Sequence, residues 1–154
     1  MCLADRFDRI HIITTEPFSR SEQHFVLPAN ADVEHANIKV SWLEKVSNLW
    51  RVFSDPVVKD EVRHIKNVYG SQLTFGRLKT LIVARIKALK LYGRLKVLLG
   101  DKTSPEDRVF LYSYWCSEFS HSIALIKEED PDVTVFSRAH GWDLYFERSN
   151  YDYL

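Results

Sequence analysis

The amino-acid sequence predicts an α/β protein with a mostly parallel sheet and flanking helices. Residues 109–136 hold an apolar run, a helix-length segment and a second apolar run, the size of one strand–helix–strand unit. Both runs are apolar throughout, as strands of a parallel sheet are. The segment 74–99 repeats its apolar residues at three- and four-residue intervals, which only a helix gathers onto one stripe.

Taken in order, residues 3–7 read as the end of a helix. Residues 9–14, Arg-Ile-His-Ile-Ile-Thr, are β-branched and short, which predicts a buried strand. Residues 16–30 lack periodicity and contain Pro17 and Pro28, so they predict loop. A second strand is expected over 35–42. Ser54-Asp55-Pro56 opens a helix, since Ser or Asp can cap it and proline suits the first turn. That helix presents Val58, Val62, Ile65 and Val68, and Gly70 is its expected stop. The long helix follows, with Leu81, Ala84, Ala88, Leu91, Leu95 and Leu98 along its stripe. Strand 109–112, helix 117–127, a turn at 129–132 and strand 133–136 complete the pattern. Together they predict a single domain wound in the Rossmann manner.

With 154 residues, 45% hydrophobic and 27% charged, the chain has the composition of one soluble globular domain. Its basic and acidic residues balance, so net charge points to neither nucleic acid nor an acidic ligand. Cys2 and Cys116 are too far apart for a Cys-x-x-Cys redox or zinc pattern, and a reducing compartment is expected. The opening MCLADRFDRI is charged and lacks the apolar stretch of a signal peptide. No apolar run reaches the ~18–20 residues of a membrane span. Dinucleotide-binding, phosphate-loop and zinc-protease motifs are absent, as is any metal-ligand set.

Ligands of such sheets bind beyond the carboxyl ends of the strands. Two such ends carry chemistry. Residues 137–143, Ser-Arg-Ala-His-Gly-Trp-Asp, combine a cation (Arg138), an imidazole (His140) and a carboxylate (Asp143) around Gly141, which lets a ligand approach the backbone. The alternative is that His140 and Asp143 cap the following turn. Residues 112–116 bring Tyr112, Tyr114 and Trp115, which either stack on a sugar or base or belong to the core. Cys116 reads as structural. Between Val62 and Gly100 there is no acidic residue, and Lys79, Lys87, Lys90 and Arg94 fall within about a quarter turn of one another at ~100° per residue. This face suits an anionic membrane surface, or else is balanced by acids from elsewhere in the fold.

The stretch Val135-Phe136-Ser137-Arg138-Ala139-His140-Gly141-Trp142-Asp143-Leu144-Tyr145, with Glu147-Arg148 after it, resembles the S-R-A-H-G-x-D-L-Y segment of bacterial retaining glycosyltransferases of the GT-B fold. Those enzymes build lipopolysaccharide, capsule and exopolysaccharide. Tyr112-Ser113-Tyr114-Trp115 is similar to the preceding strand end of that family, and residues 6–13 to its second strand. Only 135–148 are specific; residues 30–105 match in style.

The resemblance implies an acceptor-side, N-terminal domain of a two-domain enzyme that moves a sugar from a nucleotide-sugar to a glycan or lipid-linked acceptor. It places His140 near the transferred sugar and diphosphate, Arg138 against an anionic group, and Asp143 beside His140 or the acceptor. Gly141 and Tyr114 complete the sugar-facing set. His140 is not implied to be a general base, because retaining enzymes of this kind let the leaving phosphate assist attack on the same face. No metal or other cofactor is implied. A cytoplasmic location follows, with the basic helix held against the inner leaflet.

Two departures from the family stand out. The family's first strand is missing, which would open a seam beside residues 9–14 and invite pairing with a second copy. The donor-binding domain is also missing, so the chain reads as a fragment expected to be inactive alone. Two other readings compete. One is a non-catalytic module docking to a membrane or partner through the basic helix. The other, weaker, is a flavodoxin-like phosphate binder.

Overall fold

The computed structural model describes residues 3–15, 26–67, 74–100 and 107–139. The chain is of mixed α/β class, with short parallel sheets and helices, and divides into two compact units, Met1–Ile38 and Lys39–Leu154.

In the first unit a 3-10 turn, Leu3–Arg6, precedes strand β1 (Ile10–Thr14), which pairs in parallel with β2 (Ala31–His35). The register runs from Ile10 opposite Ala31 to Thr14 opposite His35. Asn30 sets the entry to β2, because its amide group donates to the carbonyls of both Ala4 (2.9 Å) and Phe7 (2.6 Å). A side chain with two donors is needed for that double contact. Across the pair, Asp32 accepts from Arg9 and lies 2.7 Å from His11 Nδ1.

The second strand therefore lies earlier than the expected 35–42. The sequence signal there is real but has another cause. Ala36 and Ile38 are buried and Val40 is partly buried, while the residues between them are exposed. An extended segment with alternate burial imitates a strand without being assigned as one.

The second unit opens with two short helices, α1 (Trp42–Ser47) and α2 (Leu49–Ser54), which the sequence reading did not assign. Ser41 and Glu44 form a capping box: Ser41 Oγ accepts from the Glu44 amide at 3.2 Å and Glu44 accepts from the Ser41 amide at 2.7 Å. Asn48 keeps helical backbone angles between the two, so residues 42–54 form nearly one run. Asp55 turns extended (ψ 125°), as the residue before a proline tends to. Pro56 then starts α3 (Pro56–Asn67), with Asp55 Oδ1 accepting from the Val57 amide at 2.9 Å. The predicted cap at 54–56 is thus Asp55. Val68 and Gly70 lie outside the described residues.

Helix α4 (Phe75–Gly100) is the spine of this unit. Its buried stripe is Leu81, Ile82, Arg85, Ile86, Ala88, Leu91 and Leu95, while Ala84 and Leu98 are only partly buried. Val52 and Val58 pack against Leu81, Ile82 and Ile86, with Val40, Val62 and Leu78 around them. Farther along, helix α5 (Glu118–Glu129) packs on α4 and buries Ile123 and Ile126. Each such aliphatic side chain contributes roughly 1.5–3 kcal/mol when fully buried. Lys87 pairs with Glu118 at 3.0 Å and Lys96 with Glu129 at 2.8 Å, so both ends of α5 are tied to α4.

Helix α5 joins β3 (Phe110–Ser113) to β4 (Thr134–Ser137), which pair in parallel from Phe110 opposite Thr134 to Ser113 opposite Ser137. This is the expected strand–helix–strand unit, displaced by about one residue. Lys127 Nζ closes its last turn, donating to the carbonyls of Val133 (2.9 Å) and Pro131. The strands are not buried on both faces as parallel strands usually are. Phe110, Tyr112 and Phe136 are each about half exposed, with Phe110 and Phe136 stacked at 6.5 Å.

Candidate functional site

Strands β3 and β4 end level with one another, and the predicted site residues Tyr114 and Arg138 follow directly after those ends. The amide of Arg138 donates to the Ser113 carbonyl at 2.9 Å, adding one rung beyond the strands. It brings the residue after β4 beside the turn that follows β3. The Arg138 guanidinium consequently lies over the Tyr114 ring, 5.4 Å from its centroid. Tyr114 in turn meets Trp115 edge-to-face, with centroids 5.4 Å apart. Both rings are about half exposed. A cation above a half-open aromatic ring is attracted by the ring's quadrupole, and the pair presents a flat apolar surface beside a positive charge.

The same strand ends carry a hydroxyl cluster. Ser120, in the first turn of α5, is 2.6 Å from Ser137 Oγ and donates to the Trp115 carbonyl at 2.8 Å. It also reaches Ser113 Oγ at 3.2 Å, and Ser113 donates to the same Trp115 carbonyl at 2.5 Å. Two hydroxyls, from β3 and α5, therefore converge on the Trp115 carbonyl, and the Ser137 hydroxyl of β4 joins them through Ser120. Ser113 is buried; Ser137 is exposed. The cluster carries no charge and suits a hydroxyl-rich ligand better than a metal. Among the described residues no group of three His, Cys, Asp or Glu side chains is placed to hold a metal ion.

Of the predicted site residues, Tyr114 and Arg138 are brought together. His140, Gly141 and Asp143 lie outside the described residues. The basic stripe of α4 is divided. Lys87 is bound to Glu118, and Lys90 donates to Glu44 (2.8 Å) and to the Lys39 carbonyl (2.8 Å). Lys79 is exposed, and Arg94 is engaged in a further interaction. Lys90 and Ser41 together hold the Glu44 carboxyl down to about 2.

A second polar constellation escaped the sequence reading. Arg85 is buried, and both its Nε and Nη2 contact Asp55 Oδ2 at 2.7 Å. Its Nη1 lies 2.6 Å from His121 Nε2. Beside them is a cleft of about 110 Å³ lined by Val57, Leu81, Ala84, Glu118 and His121. The signal was available: Arg85 sits four residues after Leu81 and three before Ala88, on the apolar stripe. A charge there requires a buried partner. Nothing in the chain's spacing, however, points from Arg85 to Asp55 or His121.

No family model matches the chain, and neither does any curated protein or solved structure.

Proposed function

We propose that the carboxyl end of β3 and β4 is a sugar-binding lip, and that the chain is the acceptor-side part of a retaining glycosyltransferase with a Rossmann-like, GT-B-type arrangement. The observation that supports this reading is the seating of Arg138 over Tyr114 at the end of two parallel strands. There, an aromatic face, a cation and hydroxyls adjoin within a few residues of the segment resembling that family. Tyr114 and Trp115 would stack on the apolar face of a pyranose ring. Arg138 would pair with an anionic group on the acceptor or the donor diphosphate. His140, two residues beyond Arg138, would hydrogen-bond the transferred sugar or the leaving oxygen. Asp143 would orient His140, and Gly141 would allow the backbone close to the ligand.

In this reading the chain binds and orients the acceptor. The nucleotide-sugar donor belongs to a second α/β domain, as in the family resembled, and no metal is required. Among the described residues no helix is long and apolar enough to cross a membrane. The reading places the protein in the cytoplasm with access to lipid-linked acceptors. The competing docking module built on the α4 cations has less support, because Lys87 and Lys90 already face carboxylates.

The test is acceptor binding. Titration with neutral and anionic bacterial oligosaccharides, followed by calorimetry, should give saturable binding. Tyr114→Ala and Arg138→Ala should each weaken it by roughly tenfold or more, the worth of one stacking or charge-assisted contact. Binding that is indifferent to both changes removes this lip from the function.

A further inference from the structure

The cleft beside Arg85 holds more hydrogen-bond donors than its own residues satisfy. A guanidinium carries five N–H donors. Arg85 directs Nε–H and one N–H of Nη2 to Asp55 Oδ2, at 2.7 Å each, and one N–H of Nη1 to His121 Nε2 at 2.6 Å. One N–H on each terminal nitrogen is left without a partner among the described residues. The side chain is only 8% exposed, and buried polar groups are normally satisfied. His121, whose Nε2 accepts from Arg85, keeps its proton on Nδ1, and that N–H also has no partner among the described residues. Both side chains line the cleft of about 110 Å³. Unfilled donors at the wall of a cavity point to an acceptor oxygen that enters it.

The rest of the lining indicates what carries that oxygen. Val57, Leu81 and Ala84 make much of it apolar. Glu61 and Glu118 line it too; Glu118 gives Oε1 to Lys87, while Oε2 takes no partner among the described residues. A plain carboxylate would set its charge beside two glutamates, and a plain amine would set its charge beside Arg85. The Arg85–Asp55 and Lys87–Glu118 pairs are already balanced, so a ligand with both kinds of head and no net charge suits the cleft. Since a cavity of about 150 Å³ holds benzene, one of about 110 Å³ takes an aliphatic body of roughly four carbons.

We infer that this cleft binds a small aliphatic α-amino acid. The carboxylate takes the spare N–H groups of Arg85 and the Nδ1–H of His121, and the ammonium faces Glu118 Oε2 and Glu61. The aliphatic side chain lies against Val57, Leu81 and Ala84. The site shares no residue with the lip of Tyr114 and Arg138 and does not depend on the sugar-binding reading.

The experiment is NMR titration of the 154-residue chain at neutral pH with L-valine, and separately with isovalerate and isobutylamine, which keep one head each. The expected result is saturable shifts with valine at Val57, Leu81, Ala84, Glu118 and His121. Each one-headed analogue should bind roughly tenfold more weakly or worse, the worth of one charge-assisted contact. Ala84→Leu, which fills the cleft, should abolish the shifts. Glu118→Gln should weaken valine binding by roughly tenfold without weakening isovalerate binding, with an unchanged far-UV circular dichroism spectrum, and it carries the test if Ala84→Leu fails to fold. Equal binding of the three probes, or valine binding indifferent to Glu118→Gln, overturns the inference. So does the absence of saturable shifts at the cleft, which would leave water as its occupant.

Discussion

Arg85 Nη1 donates to His121 Nε2 across 2.6 Å, joining α4 to α5. A guanidinium has no lone pair to offer, so Nε2 must accept. The imidazole is therefore neutral and carries its proton on Nδ1. Burial first, and then the adjacent Arg85 charge, push the His121 pKa below the ordinary imidazole value, against weaker opposing contributions from Asp55 and Glu128.

A pH dependence follows from that pair. Because the folded pKa is the lower one, the unfolded chain binds a proton first as pH falls. Stability is full above the unfolded histidine value, near ~6.5, and declines as pH drops below it toward the folded value. Urea unfolding at pH 7.5 and 5.5 should show the loss, and His121→Gln should flatten it. An equal slope in the variant would mean that another group is responsible.

Asp55 serves two neighbours at once, capping α3 through Oδ1 and holding Arg85 through Oδ2. With both partners' side chains about 8% and 11% exposed, Asp55→Ala leaves a buried guanidinium without its counterion. The expected cost is about 3–5 kcal/mol in chemical denaturation. The Arg63–Asp60 pair is a control: it is exposed on both sides, and Asp60→Ala should cost under ~1 kcal/mol.

Glu44 should titrate unusually low. Lys90 first and then Ser41 hold its carboxyl at about 2. What this adds to stability is present above the unfolded carboxylate value, near ~4.3, and is lost as pH falls toward the folded value. NMR titration of the Glu44 side chain should show this depression, and Lys90→Met should raise it part of the way toward the ordinary range, the Ser41 hydrogen bonds keeping the rest. No movement in Lys90→Met would assign the shift to the cap alone.

Ser120 ties β3, β4 and the 114–117 turn together through one hydroxyl. Ser120→Ala should cost about 1–2 kcal/mol, the usual penalty for partners left unsatisfied. It should also speed hydrogen exchange at the Arg138 amide, whose acceptor is the Ser113 carbonyl. Unchanged exchange would mean that the rung stands without the cluster.

Much of this architecture was readable from periodicity. The strand at Ile10–Thr14, the long helix, and the β3–α5–β4 unit all carry unbroken local signals. The parts that were not readable depend on partners distant in the chain. Residues 36–40 alternate as a strand does, yet β1 pairs with Ala31–His35, where Asn30 fixes the entry. Helices α1 and α2 are the exception, because their signal was local and was passed over: Ser41 and Glu44 have capping-box spacing, and Trp42, Leu43, Val46, Leu49, Trp50 and Phe53 recur at helical intervals. At the candidate site, Tyr114 and Arg138 were legible as strand-end residues. The serine cluster was not, since three separated serines are ordinary in sequence and become a network only when Ser113 and Ser137 meet in register.

The most direct test of the central claim is to map where an acceptor sugar touches the protein by NMR chemical-shift perturbation with an oligosaccharide titrated in. The account predicts shifts concentrated at Ser113, Tyr114, Trp115, Ser120, Ser137 and Arg138. Saturable shifts at the cleft beside His121 instead, or none near Tyr114 and Arg138, would contradict it.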